Sequence, residues 1–411
     1  MLREIKKPNR DHAQRLLQCL VVAIRPLHVE ELAEVLAVDF DDAEGIPKLN
    51  PNWRWEDQEQ ALLTSCSSLI TIVDTGSSRV VQFSHFSVKE YLTSARLATS
   101  SQDVLRYHIV LGTAHTILAQ ACLSILLRPD NLIEESDVEN DEKRSLLARY
   151  AAEYWVRHAQ FEDVASRIKG IEDLFDLDRP YFAAWCQLYD IDTAPSDTSA
   201  FYQFYPEKKS GANTSLYYAA LCGFPKLVEQ LVVKHPEHVN AIGGYYMTPA
   251  VAALAGKHFQ SAQLLHRNGS SVDPRGLAGK SPLHAAAFCG DLEMVQVLLD
   301  YGLDINLKDD FDFTPLSRAS QKGFKNAGVA RLLLDHGADP NVRTWRQVAD
   351  ITYSTPLHLA VEDGEVEIAR LLLERGASVE AQDGQGRTPV DVASGEQRDE
   401  LITLLLEHRA K

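Results

Sequence analysis

The spacing of apolar positions changes character near the middle of this 411-residue chain. In the first hundred residues, Leu16, Leu17, Leu20, Val21 and Ile24 recur with helical period and predict a helix over 11–24, stopped by Arg25-Pro26. A second helix is expected over 29–38, with acids in its first turn, and a third over 56–65. Two β-rich runs, 68–74 and 79–83, flank Thr-Gly-Ser-Ser and read as a hairpin. A helix over 88–97 follows. Three helices and a hairpin predict a winged helix over 9–98. Helical spacing continues over 104–127, 145–158, 164–175 and 181–189, with Trp155, Phe161, Phe175, Phe182 and Trp185 as bulky core candidates. This segment, 103–192, is expected to be a helical connector, and the Pro/Ser/Lys-rich stretch 193–210 a linker.

From 211 to 411 the pattern is periodic. Hexamers begin at Thr214, Thr248, Ser281, Thr314, Thr355 and Thr388, spaced 34, 33, 33, 41 and 33 residues apart; Ser281-Pro-Leu-His-Ala-Ala and Thr355-Pro-Leu-His-Leu-Ala are representative. The Thr or Ser can cap a helix, and Pro loses nothing at its first position. A second aliphatic run follows in each unit, as at 294–299, 329–334 and 368–373, and ends at a glycine. No unit can bury its apolar face alone, so the units must stack. His284 and His358 are read as structural hydrogen-bonding residues.

Period and hexamer resemble the ankyrin-repeat family over 211–411. The resemblance implies protein recognition through finger tips and the faces of the first helices. At those positions stand Tyr245, Tyr246, Arg275, Phe288, Phe311, Phe313, Trp345, Arg346 and Arg387, aromatic and Arg types that commonly anchor interfaces. The 41-residue interval places two extra residues near 325–328 and about six between Arg343 and Ser354. An enlarged finger carrying Trp345 between Arg343 and Arg346 is expected there.

The formal charge of -17 disfavours nucleic acid and anionic membrane surfaces as partners. The six cysteines lie far apart without a C-x-x-C pair, and read as buried free thiols. The opening is charged rather than signal-like, and the apolar run 111–127 is interrupted by His115 and Gln120, so an intracellular, cytoplasmic protein is expected. G-x-S-x-G and H-E-x-x-H do not occur, and His235-Pro-Glu-His238 has the wrong spacing for the latter. Gly279-Lys280-Ser281 lacks the P-loop's first glycine, with Pro274 in its place. No catalytic residue, metal or cofactor is expected.

The segment Leu17–Leu36, with Phe83-Ser-His-Phe-Ser-Val-Lys-Glu-Tyr-Leu92, resembles the winged-helix module of fungal NACHT–ankyrin proteins, a module also named for GPI inositol-deacylase. Tyr150-Ala-Ala-Glu-Tyr-Trp155 and the stretch 182–192 continue the resemblance. It implies kinship to NLR-type signalling ATPases and heterokaryon-incompatibility regulators. In the wider class a Met-His-Asp motif senses nucleotide; His85 matches its histidine, while Phe86 replaces the acid. The chain is expected to lack the ATPase and to act as a protein-binding scaffold, or as the sensor portion of a switch whose NACHT domain is a separate partner. The fold class expected is mainly α: a winged helix, a helical connector and an ankyrin solenoid.

Overall fold

The computed structural model describes all residues except 1, 41–44, 51, 52, 54, 56, 67, 77, 129–145, 190, 193–213, 245, 274–280, 322–325, 349, 396, 397 and 411. Its described residues form two compact units, Met1–Ile191 and Asp192–Lys411.

In the first unit, helices α1 (Arg10–Val22), α2 (Val29–Leu36) and α3 (Gln58–Cys66) support a sheet of β1 (Leu27–His28), β4 (Ile70–Asp74) and β5 (Arg79–Phe83), in the order β1-β5-β4 and antiparallel throughout. This is the expected winged helix with one addition. The two residues of β1 are too few to show a period, and they pair Leu27 with Val81 beside the hairpin. A second short pair, β2 (Val38–Asp39) with β3 (Lys48–Leu49), was also not anticipated.

Two acids of α2 are buried with partners rather than left in solvent. Glu31 is buried and takes both Arg25 Nη1 (2.8 Å) and Nη2 (2.6 Å), while accepting from the His28 backbone N–H as a capping box. Glu34, also buried, accepts from Leu147 N at 3.0 Å, at the start of α8 (Leu147–Ala159). A carboxylate there satisfies an orphan N–H and meets the positive end of the helix.

The expected helix over 88–97 is broken. Phe86–Thr93 (α4) ends where Ser94 turns extended, and its hydroxyl caps the next turn, Ala95–Ala98 (α5). The run 104–127 likewise divides into α6 (Gln102–Leu105) and α7 (Leu111–Leu126). Gly170, at φ 96°, separates α9 (Val164–Arg167) from α10 (Ile171–Leu174), which the periodicity had joined. The connector helices share the winged helix's core: Tyr150 accepts from Ile24 N at 3.3 Å, and α7 packs between α1 and α8. Trp155, Phe175, Phe182 and Trp185, the last from α11 (Tyr181–Leu188), form an aromatic cluster with centroids 5.4–6.4 Å apart, edge-to-face except for the tilted Phe175–Phe182 pair. Trp185 Nε1 donates to Ala152 O at 3.0 Å, so the buried indole is satisfied.

Among the described residues the second unit contains six helix pairs, beginning with 215–221 and 225–234 and ending with 389–395 and 399–409. Every hexamer's first residue caps its helix: Thr214, Thr248, Thr314 and Thr388 accept from the third backbone N–H, while Ser281 and Thr355 form capping boxes with His284 and His358. Ala219, Ala252, Ala285 and Ala360 are fully buried, which lets successive pairs approach closely. His284 Nδ1 accepts from Ser281 N, so the proton lies on Nε2, which donates to Phe313 O at 2.9 Å in the next finger. His358 repeats the arrangement with Thr355 and Arg387 O. All six cysteines are free thiols. Burial pushes Cys19 and Cys66 up to about 12. At neutral pH a maleimide is expected to label half-buried Cys186 and Cys289 well before these two; early loss of the Cys19 thiol, followed by mass spectrometry, would contradict that.

Candidate protein-binding surface

The inserted finger is a β-hairpin rather than an irregular loop. Thr344–Val348 (β6) pairs with Asp350–Ser354 (β7), Trp345 opposite Tyr353, with their rings edge-to-face at 5.5 Å. Buried Thr344 closes its base, Oγ1 donating to Ser354 O at 3.1 Å. Each strand is also bonded to a neighbouring finger: Trp345 N donates to Phe311 O at 2.8 Å, and Gly384 N donates to Tyr353 O at 2.9 Å. Alternating Thr, Trp, Val, Ile and Tyr were the available sign of this hairpin.

The preceding finger is built on Asp309. Its Oδ1 accepts from Phe311 N and Phe313 N at 2.9 and 3.0 Å, and its Oδ2 pairs with Arg318 Nη2. The Arg318 guanidinium lies 3.8 Å from the centre of the Phe313 ring. Burial lowers the Arg318 pKa, against the raising influence of Asp309. Asp383 repeats the device in the following finger, where Oδ1 accepts from Gln385 N and Arg387 N at 2.8 Å.

These contacts sort the expected anchors. Phe311 and Trp345 are exposed, at 36% and 42%, and Tyr353 joins them at 38%. Phe313 is a correction: at 5% exposure it lies beneath Arg318 within the stack, where a partner cannot reach it. Arg387 is exposed but engaged, with Nε and Nη2 each 2.9 Å from Asp383 Oδ2. Phe288 is half-buried, and its carbonyl accepts from the Asn326 amide. Tyr246 is half-buried, and its N–H donates to the buried Tyr217 hydroxyl at 3.0 Å. Burial raises the Tyr246 phenol to about 12, so it is neutral at physiological pH. Tyr245, Arg275 and the side chain of Arg346 lie outside the described residues.

Beside the hairpin is an open cleft of about 460 Å³, lined by Asn306, Lys308, Asp312, Asp339, Arg343, Trp345 and Tyr353 among others. Its walls offer aromatic faces and both signs of charge, and the Lys308–Asp312 pair (3.3 Å) lies at its rim. Such a volume admits side chains of a docked segment. In the first unit, His85 is exposed and caps α4, its Nδ1 accepting from Ser87 N at 3.2 Å. Among the described residues no helix is long and apolar enough to cross a membrane.

Comparison with known proteins matches residues 250–344 and 346–411 to ankyrin repeats, and 2–102 to the winged-helix domain of GPI inositol-deacylase. Azaphilone pigments biosynthesis cluster protein L of Monascus ruber is 30% identical over 276 residues, covering 64% of this chain and 56% of that protein. Cyclin-dependent kinase 4 inhibitor B of Bos taurus is 37% identical over 119 residues, 29% of this chain and 84% of the inhibitor. Ankyrin repeat protein nuc-2 of Neurospora crassa is 27% identical over 190 residues, 46% of this chain and 17% of that protein. The chain therefore spans about half the length of the Monascus relative and a small part of nuc-2.

Proposed function

We propose, starting from the fact that this chain belongs to the ankyrin-repeat proteins, that it is a non-catalytic intracellular scaffold whose protein ligand docks on three neighbouring fingers. The observation that carries this reading is the hairpin inserted at 344–354. It places Trp345 and Tyr353 in solvent beside Phe311, above a cleft of mixed charge. Exposed aromatics in contact with each other are rigid, large anchors that lose little entropy on binding. Phe288, Tyr246 and Arg387 belong to the periphery of this surface or to its scaffold. Tyr245, Arg275 and Arg346 complete the proposed set. Nucleic acid and membrane are not proposed as partners, given the acidic balance.

Trp345→Ala with Arg346→Ala is expected to raise the dissociation constant of an identified partner by roughly 30-fold or more, a loss of about 2 kcal/mol. Thermal midpoint is expected to stay within about 2 °C, because an exposed side chain such as Trp345 seldom carries much stability. Titration calorimetry and a melting curve on the same samples decide it. Equal losses of affinity and stability would make the hairpin a structural element only.

The winged-helix match supports a second reading, in which the first unit docks on a NACHT-type ATPase and His85 faces its nucleotide. An ATPase that co-purifies with the full chain and is released by His85→Ala would favour it. Retention by the variant removes His85 from that role.

A further inference from the structure

The turn that follows the helix 225–234 brings together three donors from four consecutive residues. His235 ends that helix at φ -135°, and Pro236–His238 is a single 3₁₀ turn, with His238 N donating to His235 O at 3.0 Å. Three residues per turn eclipse positions i and i+3, whereas an α-helix would set them 60° apart around its axis. The imidazoles of His235 and His238 accordingly stack, with centroids 5.1 Å apart and planes at 21°. Glu237 lies between them in sequence, and its Oε1 is 3.3 Å from His235 Nδ1 and 3.8 Å from His238 Nε2. The three ligating atoms all lie within 4.8 Å of one another.

We propose that His235, Glu237 and His238 form a binding site for a divalent transition-metal ion, with zinc as its representative. Tetrahedral zinc with bonds of about 2.0–2.2 Å sets neighbouring ligand atoms about 3.3 Å apart; the His235–Glu237 separation already has that value, and the other two lie within 4.8 Å. Two imidazoles and one carboxylate are the donor types of borderline ions, and not those of calcium or magnesium, which take oxygen alone. Pro236 fixes the backbone between the ligands, so little chain entropy is lost on binding. Glu237 is largely exposed at 63%, and each imidazole keeps 22% of its surface, which leaves an open side for water or a ligand from another protein. Among the described residues the buried Nδ1 of His238 meets no acceptor. Without that outer partner, affinity falls below that of a built structural site, into the range of about 1–100 µM. Bound metal would pin the start of the finger that leads to Tyr246, a consequence independent of the docking surface around Trp345.

Titration calorimetry of the untagged full chain with zinc chloride at pH 7.5 tests the proposal, beside the His235→Ala/His238→Ala and Glu237→Gln variants. Wild type should bind one ion in that range. The double variant should lose at least tenfold in affinity and Glu237→Gln a smaller factor, with circular dichroism unchanged in each. Cobalt should give a tetrahedral visible band in wild type and not in the double variant. Equal binding by wild type and double variant would place the ion elsewhere, and absence of binding by wild type would remove the site; either overturns the proposal.

Discussion

Asp309→Ala is expected to destabilise the second unit by about 3–5 kcal/mol, the usual cost of stranding one member of a buried ion pair. The Asp309 side chain is fully buried, Arg318 retains only 10% of its surface, and the guanidinium is seated on the Phe313 ring. Removing the carboxylate leaves that cation without its counter-charge and the Phe311 and Phe313 N–H groups without their acceptor. For a unit of this size the midpoint should fall by on the order of 10 °C in a calorimetric scan. The companion Asp309→Ala/Arg318→Leu double substitution should be less damaging than Asp309→Ala alone, since it removes the stranded charge as well. If the double variant is as unstable as the sum of two independent losses, the pair is not the source of the effect.

Acid should loosen the first unit through its buried histidines. His158 is fully buried, its Nδ1 2.8 Å from His115 Nδ1 and its Nε2 2.9 Å from the Tyr150 hydroxyl. Burial, with a smaller contribution from His115, lowers its pKa from 6.5 to about 3. The folded chain therefore keeps this ring neutral where the unfolded chain protonates it. Stability carried by the neutral ring is complete above pH 6.5 and is lost progressively as pH falls towards 3. His115, also lowered by burial, contributes with the same sign. From pH 7 to pH 4.5 the loss from His158 should be about 2–3 kcal/mol. Urea titrations followed by Trp155 and Trp185 emission would measure it. His158→Gln, neutral at every pH, should flatten the dependence by about 1.4 kcal/mol per pH unit between pH 6 and 4. An unchanged slope would move the acid sensitivity to other groups.

What could be read in advance divides by distance along the chain. The repeat helices were legible because their starts are local: Thr314 needs only Pro315 and the third residue's N–H to make a cap. His284 and His358 were legible as structural groups for the same reason. Phe313 was read as an exposed anchor because its burial depends on Arg318, which sits on the next helix, and on Asp309, which turns the finger. The burial of Glu31 and Glu34 is not legible from period alone, because their partners Arg25 and the α8 terminus lie outside the helix that carries them. The spacing predicts an enlarged finger at 343–354 and not its hairpin, because each strand is completed by a finger more than thirty residues away in sequence. His235 and His238 were set aside on helical spacing, which is the wrong ruler for a 3₁₀ turn.

The two backbone bonds that tie the hairpin to its neighbours also bear on how the second unit responds to force. In a simple stack, adjacent finger tips can slide past one another like the pages of a bent book. Here Phe311, Trp345, Tyr353 and Gly384 are riveted in sequence by main-chain hydrogen bonds, so that a load on one tip is shared by two others. Pulling on the hairpin would therefore load its main-chain bonds to both neighbours before it could part from either.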